Sequence, residues 1–392
     1  MIKIGVFGAW RGHAYINVIK EMSDCCVTAV CDKDIEVLNR VKVDCPKDVK
    51  LFQDPEDFLN CEMDAVILCN YFHEHAAYAI KAMEMGMHVL SETTSAVTLK
   101  ECVDLVRAVE KTGRTYMLAE NYPYMRACQE LERLYKGGTL GKVIYGEGEY
   151  VHPSSLEEFK LITPTIDHWR SYIPRTYYLT HSLGPLMKMT DTMPKAVNAK
   201  TIHSDMLEEQ LIKTGIRKVA DCASIMLVEM DNGALFRVTG SADYAPSGNW
   251  YRLACEHGGA ENVRGKDEMV RIEYNSWSKP ENAELSRTYL PEWSSNKELA
   301  EKAGHGGGDF WVVYEFIKAL KEGTTPYFDV YKGVAMSATG ILGWRSSLEN
   351  GKEYRIPDFR NPDERKLVEM DDLSPFPNKN GVASLPCSTK YR

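Results

Sequence analysis

Long apolar runs are missing from this sequence. No stretch approaches the roughly 20 consecutive apolar residues that a membrane-spanning helix needs. The opening residues, Met1 to Gly8, lack the basic, apolar and small-residue regions of a secretory signal, so the chain is expected in the cytoplasm. Paired cysteines are missing too. The eleven cysteines, scattered from Cys25 to Cys387, contain no CxxC pair, which argues against a zinc ribbon or disulfide framework and for reduced thiols. Nor is there an excess of positive charge: a net charge of -9 opposes attraction to phosphate backbones, so nucleic acid and membrane are not expected as partners. Internal repeats and low-complexity tracts are also absent.

What remains is an ordinary globular composition, 44% hydrophobic and 26% charged over 392 residues, a length suited to two domains. Up to about Leu118 the pattern alternates strand and helix, which calls for crossover connections and a parallel sheet. Strands are expected at Ile2–Phe7, Val27–Cys31, Ala65–Cys69, Met87–Leu90 and Thr115–Leu118. The spacing of Leu99, Cys102, Val103, Val106 and Val109 puts apolar groups on one helical face, and Gly86 and Gly113 sit where helices should stop. The glycines of 137–141 punctuate the end of a helix from about Tyr124, before a strand at Val143–Tyr150. The expected domains are 1–122, a doubly wound Rossmann-type α/β domain, and 123–392, an α+β domain with a C-terminal tail. In the second, Asp231-Asn232-Gly233 between Ala223–Met230 and Ala234–Tyr244 signals a hairpin, and a further strand is expected at Asn249–Glu256. This gives a mostly antiparallel open sheet, with helices near Asp309–Lys321 and Tyr331–Glu349 expected to cover one face.

The first strand runs into Gly8-Ala9-Trp10-Arg11-Gly12-His13, a degraded GxGxxG in which Trp10 replaces the middle glycine. Gly8 suits a tight turn and Gly12 a close backbone approach, so that the first helix aims its amides at a pyrophosphate. About twenty residues on, Asp32 ends the second strand, where a carboxylate can accept from both ribose hydroxyls and repel a 2'-phosphate. The combination points to NAD. The plainer alternative is that Gly8 and Gly12 are turn glycines and Asp32 a helix cap. Trp10 and Arg11 put an aromatic and a cation beside the phosphates, which suits a tightly held cofactor, although packing accounts for Trp10 as well.

Further segments carry a family resemblance. They are Asn70-Tyr71-Phe72-His73-Glu74-His75, Gly86-Met87-His88-Val89, Glu92, Asn121, the Gly-x-Leu-Gly of 138–141 and Trp169-Arg170. With the glycine turn they make the chain resemble the Gfo/Idh/MocA sugar oxidoreductases over most of its length. The resemblance implies NAD contacts from Gly8, Trp10, Arg11, Gly12, His13, Asp32, Asn70, His75, Glu92, Asn121, Trp169 and Arg170. It also implies a nicotinamide at the mouth of the second domain's sheet, facing a carbohydrate, and a homodimer or homotetramer formed through that sheet's outer face. The plainer alternatives are that His75 only packs there and that Trp169-Arg170 is a chance dipeptide. Where the family has Glu-Lys-Pro, this chain has Glu92-Thr93-Thr94, so the usual proton-relay lysine is absent, and Thr93 offers a hydroxyl but no comparable base. Two other segments, Tyr177 to Pro185 and Gly304-His305-Gly306-Gly307-Gly308-Asp309-Phe310, resemble the THGLGP and GHGGMDF segments of the NAD-dependent glycosidases that remove α-N-acetylgalactosamine.

That resemblance implies oxidation at sugar C3, removal of the acidified C2 proton with expulsion of the C1 group, addition of water and return of the hydride, with NAD retained and recycled. His181 is the first candidate base, because imidazole titrates near neutrality, and Tyr178 could share the proton or assist the leaving group. His305 lies among glycines that let backbone approach a ligand. Plainer alternatives are a structural histidine at a helix start, a core tyrosine and a capping loop before Asp309. A divalent metal such as Mn or Zn on Glu149, His181 and His305 could replace the missing lysine, the alternative being a sugar-binding or solvated strand face. Strand alternation puts Glu147 and Glu149 on one face and His152 on the other. Three functions stay open: a redox-assisted glycosidase, an NAD-dependent sugar or inositol dehydrogenase, and a non-catalytic NAD or sugar sensor.

Overall fold

The computed structural model describes residues 1–163, 165–213, 215, 218–244, 246–378 and 380–391. The chain divides into two compact units, 1–124 with 293–334 and 359–370, and 125–292 with 335–358 and 371–392.

The first unit holds a six-stranded sheet built from β1 (Ile2–Phe7), β2 (Cys25–Cys31), β3 (Lys50–Phe52), β4 (Ala65–Leu68), β5 (His88–Ser91) and β6 (Tyr116–Leu118). The strands pair in parallel in the order β3-β2-β1-β4-β5-β6. All four residues of β4 are fully buried, as a strand covered on both faces requires. The order reverses between β1 and β4, and such a switch point leaves a crevice at the carboxyl ends of the strands. The helix at Leu99–Thr112 starts in a capping box between Thr98 and Glu101 and stops at Gly113, whose φ of 65° is cheap only for glycine. β3 has no counterpart among the expected strands, since three residues carry too little alternation to read.

One expectation needs correcting. The helix Gly308–Glu322 was expected to cover the second domain's sheet, yet it belongs to the first unit and packs on the helix Ala9–Lys20. An apolar helical face shows that burial is needed, not what supplies it. The segment that follows it is fastened to the same unit, where the Phe328 carbonyl accepts from Leu118 N–H at 2.9 Å. A single boundary near residue 122 therefore does not describe the units, because two later segments return to the first.

The second unit is built on nine strands: β7 (Val143–Val151), β8 (Pro194–His203), β9 (Asp221–Met230), β10 (Leu235–Ala242), β11 (Gly248–Cys255), β12 (Gly258–Val263), β13 (Lys266–Tyr274), β14 (Ser286–Tyr289) and β15 (Tyr354–Arg355). Their order is β14-β13-β12-β11-β7-β10-β9-β8-β15, antiparallel except for the central pair β7 and β10. The hairpin between β9 and β10 turns at Gly233, with φ 85°, and the Asn232 side chain accepts from Ala234 N–H at 3.0 Å. A tail at 371–392 docks on this unit, with Thr389 on Asp221 and the Pro386 carbonyl taking the Trp344 indole N–H.

Two strand glycines bring the sheet into contact with backbone. A Cβ on Gly148 would lie 2.1 Å from the Ser182 carbonyl oxygen in the helix Thr180–Thr190, and one on Gly240 would lie 2.0 Å from the Arg175 carbonyl. No side chain fits at either place, so the helix backbone rests directly on β7. Gly148→Ala is expected to force the helix off the sheet and cost about 1–3 kcal/mol. Urea unfolding measures this, and an unchanged midpoint would contradict the contact.

Candidate active site

The turn after β1 is clasped by Asp32. Its Oδ2 accepts from Ala9 N–H at 2.8 Å and its Oδ1 from Asp34 N–H at 3.0 Å, leaving further lone pairs on both oxygens. Gly8 caps the helix Ala9–Lys20 with φ 92°, and a Cβ there would lie 2.3 Å from the Cys69 carbonyl group. The turn thus presses against the end of β4. Beside it, Asn70 donates to Glu74 at 3.3 Å while its buried Oδ1 has no partner among the described residues. A side-chain-free cradle, a helix N-terminus and an orphaned acceptor at the switch point fit a dinucleotide.

Other members of the expected cofactor set make contacts of their own within the structure. A Cβ on Gly12 would lie 2.4 Å from Val6 Cγ1, so what approaches this glycine is β1. Trp10 is 51% exposed, and packing does not explain it. His13 pairs with Asp44 at 2.8 Å. His75 is buried with Nδ1 3.0 Å from the Thr94 carbonyl and Nε2 3.2 Å from the Asn70 carbonyl, so a neutral ring donates to one of the two. Burial pulls its pKa down and favours the neutral ring. Trp169 and Arg170 lie on a short turn of the second unit, where the guanidinium stacks over the indole at 4.3 Å.

Arg11 departs most from expectation. It was placed beside the phosphates, but it turns inward. Its Nε donates to Glu92 at 2.7 Å, and its two terminal nitrogens donate to the two Asp309 oxygens at 2.8 and 3.2 Å. Tyr15 takes a hydrogen bond from Arg11 at 3.1 Å and gives one to Glu92 at 2.7 Å. Asn121 Nδ2 donates to Asp309 at 2.8 Å, and His305 Nδ1 lies 2.9 Å from it. Burial alone would raise the Asp309 pKa, but the His305 hydrogen bond and the Arg11 charge outweigh it and hold the carboxyl well below the usual carboxylate range. For Arg11 burial is likewise overcome, by Glu92 first, and its pKa rises. Sequence reasoning missed Tyr15 and the role of Asp309, because the signal lies in a charge balance across nearly 300 positions.

Removing Arg11 would leave two carboxylates without their cation. Arg11→Met is expected to cost about 3–5 kcal/mol at neutral pH. The Asp309 pKa is depressed in the fold, so its contribution is complete above the unfolded value of about 3.9 and is lost as pH falls. The gap between wild type and Arg11→Met should therefore narrow below about pH 4. Urea titrations at several pH values measure it, and a constant gap would contradict the ion cluster.

In the second unit His181 sits at the start of the helix Thr180–Thr190, packed edge-on against two tyrosine rings. Its centroid is 4.8 Å from that of Tyr150 and 5.1 Å from that of Tyr178, and the two tyrosines stack at 6.0 Å. His152, two residues beyond Tyr150 on the same face, lies 5.9 Å from it. The cluster thus unites two expected residues with Tyr150, which alternation with His152 could have flagged. Pro185 lies four residues after His181 and has no N–H, so the His181 carbonyl loses its helical donor. The buried Tyr251 hydroxyl supplies one at 2.6 Å. Tyr251→Phe should cost about 0.5–1.5 kcal/mol by removing that hydrogen bond. Equal unfolding midpoints for the two proteins would contradict this.

The expected metal set does not assemble. Glu147 and Glu149 point away from the Tyr150 face, as alternation requires, and there they meet Arg237, Arg252 and Arg264. Arg237 and Arg264 take both Glu149 oxygens, at 3.0 and 2.8 Å. Glu149 and His181 are thus on opposite faces of β7 and cannot share an ion. Among the described residues, His203, Asp205 and Glu208 have ligand atoms close enough for a metal, but Glu208 is paired with Lys390.

Comparison with known proteins agrees with this geometry. Residues 2–120 match the oxidoreductase family model with the NAD-binding Rossmann fold, and residues 250–364 match the glycosyl hydrolase 109 C-terminal domain. A glycosyl hydrolase family 109 protein of Shewanella sp. (strain ANA-3) is 26% identical over 92% of this chain and 85% of its own length. Among solved structures, levoglucosan dehydrogenase in complex with NADH and levoglucosan superposes with a TM-score of 0.74 at 17% identity, covering 91% of this chain and 99% of that one. Aldose-aldose oxidoreductase from Caulobacter crescentus gives 0.71 at 15% identity, with 91% and 99% covered. These structures share the fold. Residues 2–120 are thus similar to the Gfo/Idh/MocA oxidoreductases, and residues 250–364 to the C-terminal domain of glycosyl hydrolase 109.

Proposed function

We propose that this protein is an NAD-dependent glycosidase that cleaves a sugar glycoside through a 3-keto intermediate. The observation that carries the reading is His181, an imidazole wedged between two tyrosines on a helix start fixed by Pro185 and Tyr251, in a chain whose usual lysine position is Thr93. Relatives named as glycosyl hydrolase family 109 proteins support it. The turn at Gly8, Asp32 and Asn70 would hold the dinucleotide on the first unit. Bound NAD would supply reversible oxidation at sugar C3.

The rest falls to side chains. A ketone at C3 acidifies the C2 proton, and a base can then remove it and expel the C1 substituent without a glycosyl cation. His181 takes that proton, since an imidazole works as base and acid near neutral pH. Tyr178, packed on the same ring, gives a proton to the leaving oxygen and recovers one from the water that adds. The tight cluster around His181 keeps the ring from swinging, which matters because small misplacements of a base are costly in rate. Oxidation at C3 also needs a base for the hydroxyl proton, a role the Thr93 hydroxyl cannot fill, and a glycosidase and a plain dehydrogenase share that need.

Incubation of the protein and NAD with aryl α- and β-glycosides in D2O tests the proposal. Aglycone release with deuterium at C2 and no net NADH is the expected result, and His181→Ala should lower the rate by about 100-fold or more. NADH accumulating in step with an intact keto glycoside would overturn it in favour of a dehydrogenase. Retention of NAD with no turnover of any glycoside or sugar would favour a sensor.

A further inference from the structure

The short turn that carries Tyr178 begins at Arg175, whose charged side chain is buried against the sheet. Its Nε donates to the Asp221 carbonyl of β9 at 2.8 Å, one terminal nitrogen donates to the Ser241 hydroxyl of β10 at 3.2 Å, and the other pairs with the carboxylate of Asp243 just beyond β10. The Arg175 carbonyl in turn rests on Gly240. Side chain and backbone therefore both fix this residue to the sheet, in the segment that leads to Tyr178 and His181. The proton transfers assigned above make no use of it. A buried cation is costly unless its partners are well placed, and a planar fork of donors meets three acceptors in fixed directions as no lysine can.

The C-terminal tail closes on the same turn. Phe376 is buried with its ring edge-on to Tyr172 and Tyr177, 5.8 Å from each, so aromatic rings on either side of Arg175 grip one side chain of the tail. The tail is held on both sides of that contact. Asp371 takes two hydrogen bonds from Arg345 at 2.5 and 2.6 Å, and Thr389 gives two to the buried Asp221 carboxylate at 2.9 and 3.0 Å. Asp221 also supplies the carbonyl that accepts from Arg175, so tail and arginine meet at one residue of β9.

We infer that Arg175 and Phe376 are positioning residues that set the place of Tyr178 and His181, so that the C-terminal tail completes the active-site turn. The inference rests on the glycosidase reading for the reaction it serves. Both residues act through the backbone of the turn. Loosening the turn displaces Tyr178 and, with it, the His181 ring packed on its face. A small displacement of a base lowers the rate of proton transfer while leaving substrate affinity almost unchanged.

Full-length protein loaded with NAD and labelled with 13C-histidine gives a readout that does not depend on turnover. The flanking tyrosine rings shift the His181 ring resonances by their ring currents, and His181→Gln assigns them by their loss. Phe376→Ala is expected to move these resonances and to lower kcat on an aryl glycoside by about 10- to 100-fold, with KM changed by less than about threefold. Arg175→Lys, which keeps the charge and loses the fork, is expected to do the same, and Phe376→Leu to restore most of the rate. All are measured well below the unfolding midpoint of each variant. A lower midpoint with unchanged His181 resonances and unchanged kcat would reduce both residues to ordinary stability and overturn the inference. Should Arg175→Lys fail to fold, the two Phe376 variants decide alone. A resonance shift in Phe376→Ala in a protein that cleaves no glycoside would support the positioning role and overturn the glycosidase reading.

Discussion

A partly buried guanidinium needs anionic partners, and much of the first unit is arranged around giving Arg11 two. Glu92 comes from the loop after β5 and Asp309 from the start of a helix nearly 300 residues away. Taking three charges out of water is costly, and the cost is recovered only when every donor and acceptor is matched. Tyr15 and Asn121 add three further hydrogen bonds to the cluster. Because losing one member strands the others, the cluster ties the cofactor turn to the glycine loop of His305. It also accounts for the return of residues 293–334 to a unit otherwise built from the first third of the chain.

The second unit fixes its candidate base by other means. Gly148 and Gly240 let carbonyl oxygens of neighbouring segments rest on the sheet, and Pro185 frees a carbonyl that accepts from the Tyr251 hydroxyl. His181 is therefore held through its own backbone, with its ring set by Tyr150 and Tyr178. His181 is thus located by ring packing and one buried hydrogen bond to its backbone, and His305 by its contact with the buried Asp309. Steps that move a proton twice in one turnover need such fixed geometry.

Much of the fold was legible in the sequence. Alternation and glycine stops gave five of the parallel strands, and Asn232-Gly233 gave the hairpin, because these signals are local. β3 is too short to alternate visibly. The helix Gly308–Glu322 was readable as a helix but not as a member of the first unit, since periodicity identifies an apolar face and not its partner. The candidate site divides in the same way. Strand alternation correctly set Glu147 and Glu149 on one face, yet it could not reveal that His181 lies on the other or that three arginines wait for those carboxylates. Arg11 was read from its motif position, but its direction is decided by charges at 92 and 309. Pro185, four residues after His181, was visible throughout, whereas Tyr251, which compensates for it, was not.

The central claim is that glycoside cleavage passes through oxidation and re-reduction on one enzyme. Rapid mixing of NAD-loaded protein with an aryl glycoside, followed by the near-ultraviolet absorbance of reduced nicotinamide and by aglycone release, tests it directly. The reduced-cofactor signal is expected to rise before or with the aglycone, hold during turnover and fall back to the baseline when substrate is exhausted. Aglycone release with a flat signal, undiminished in protein stripped of NAD, would contradict it.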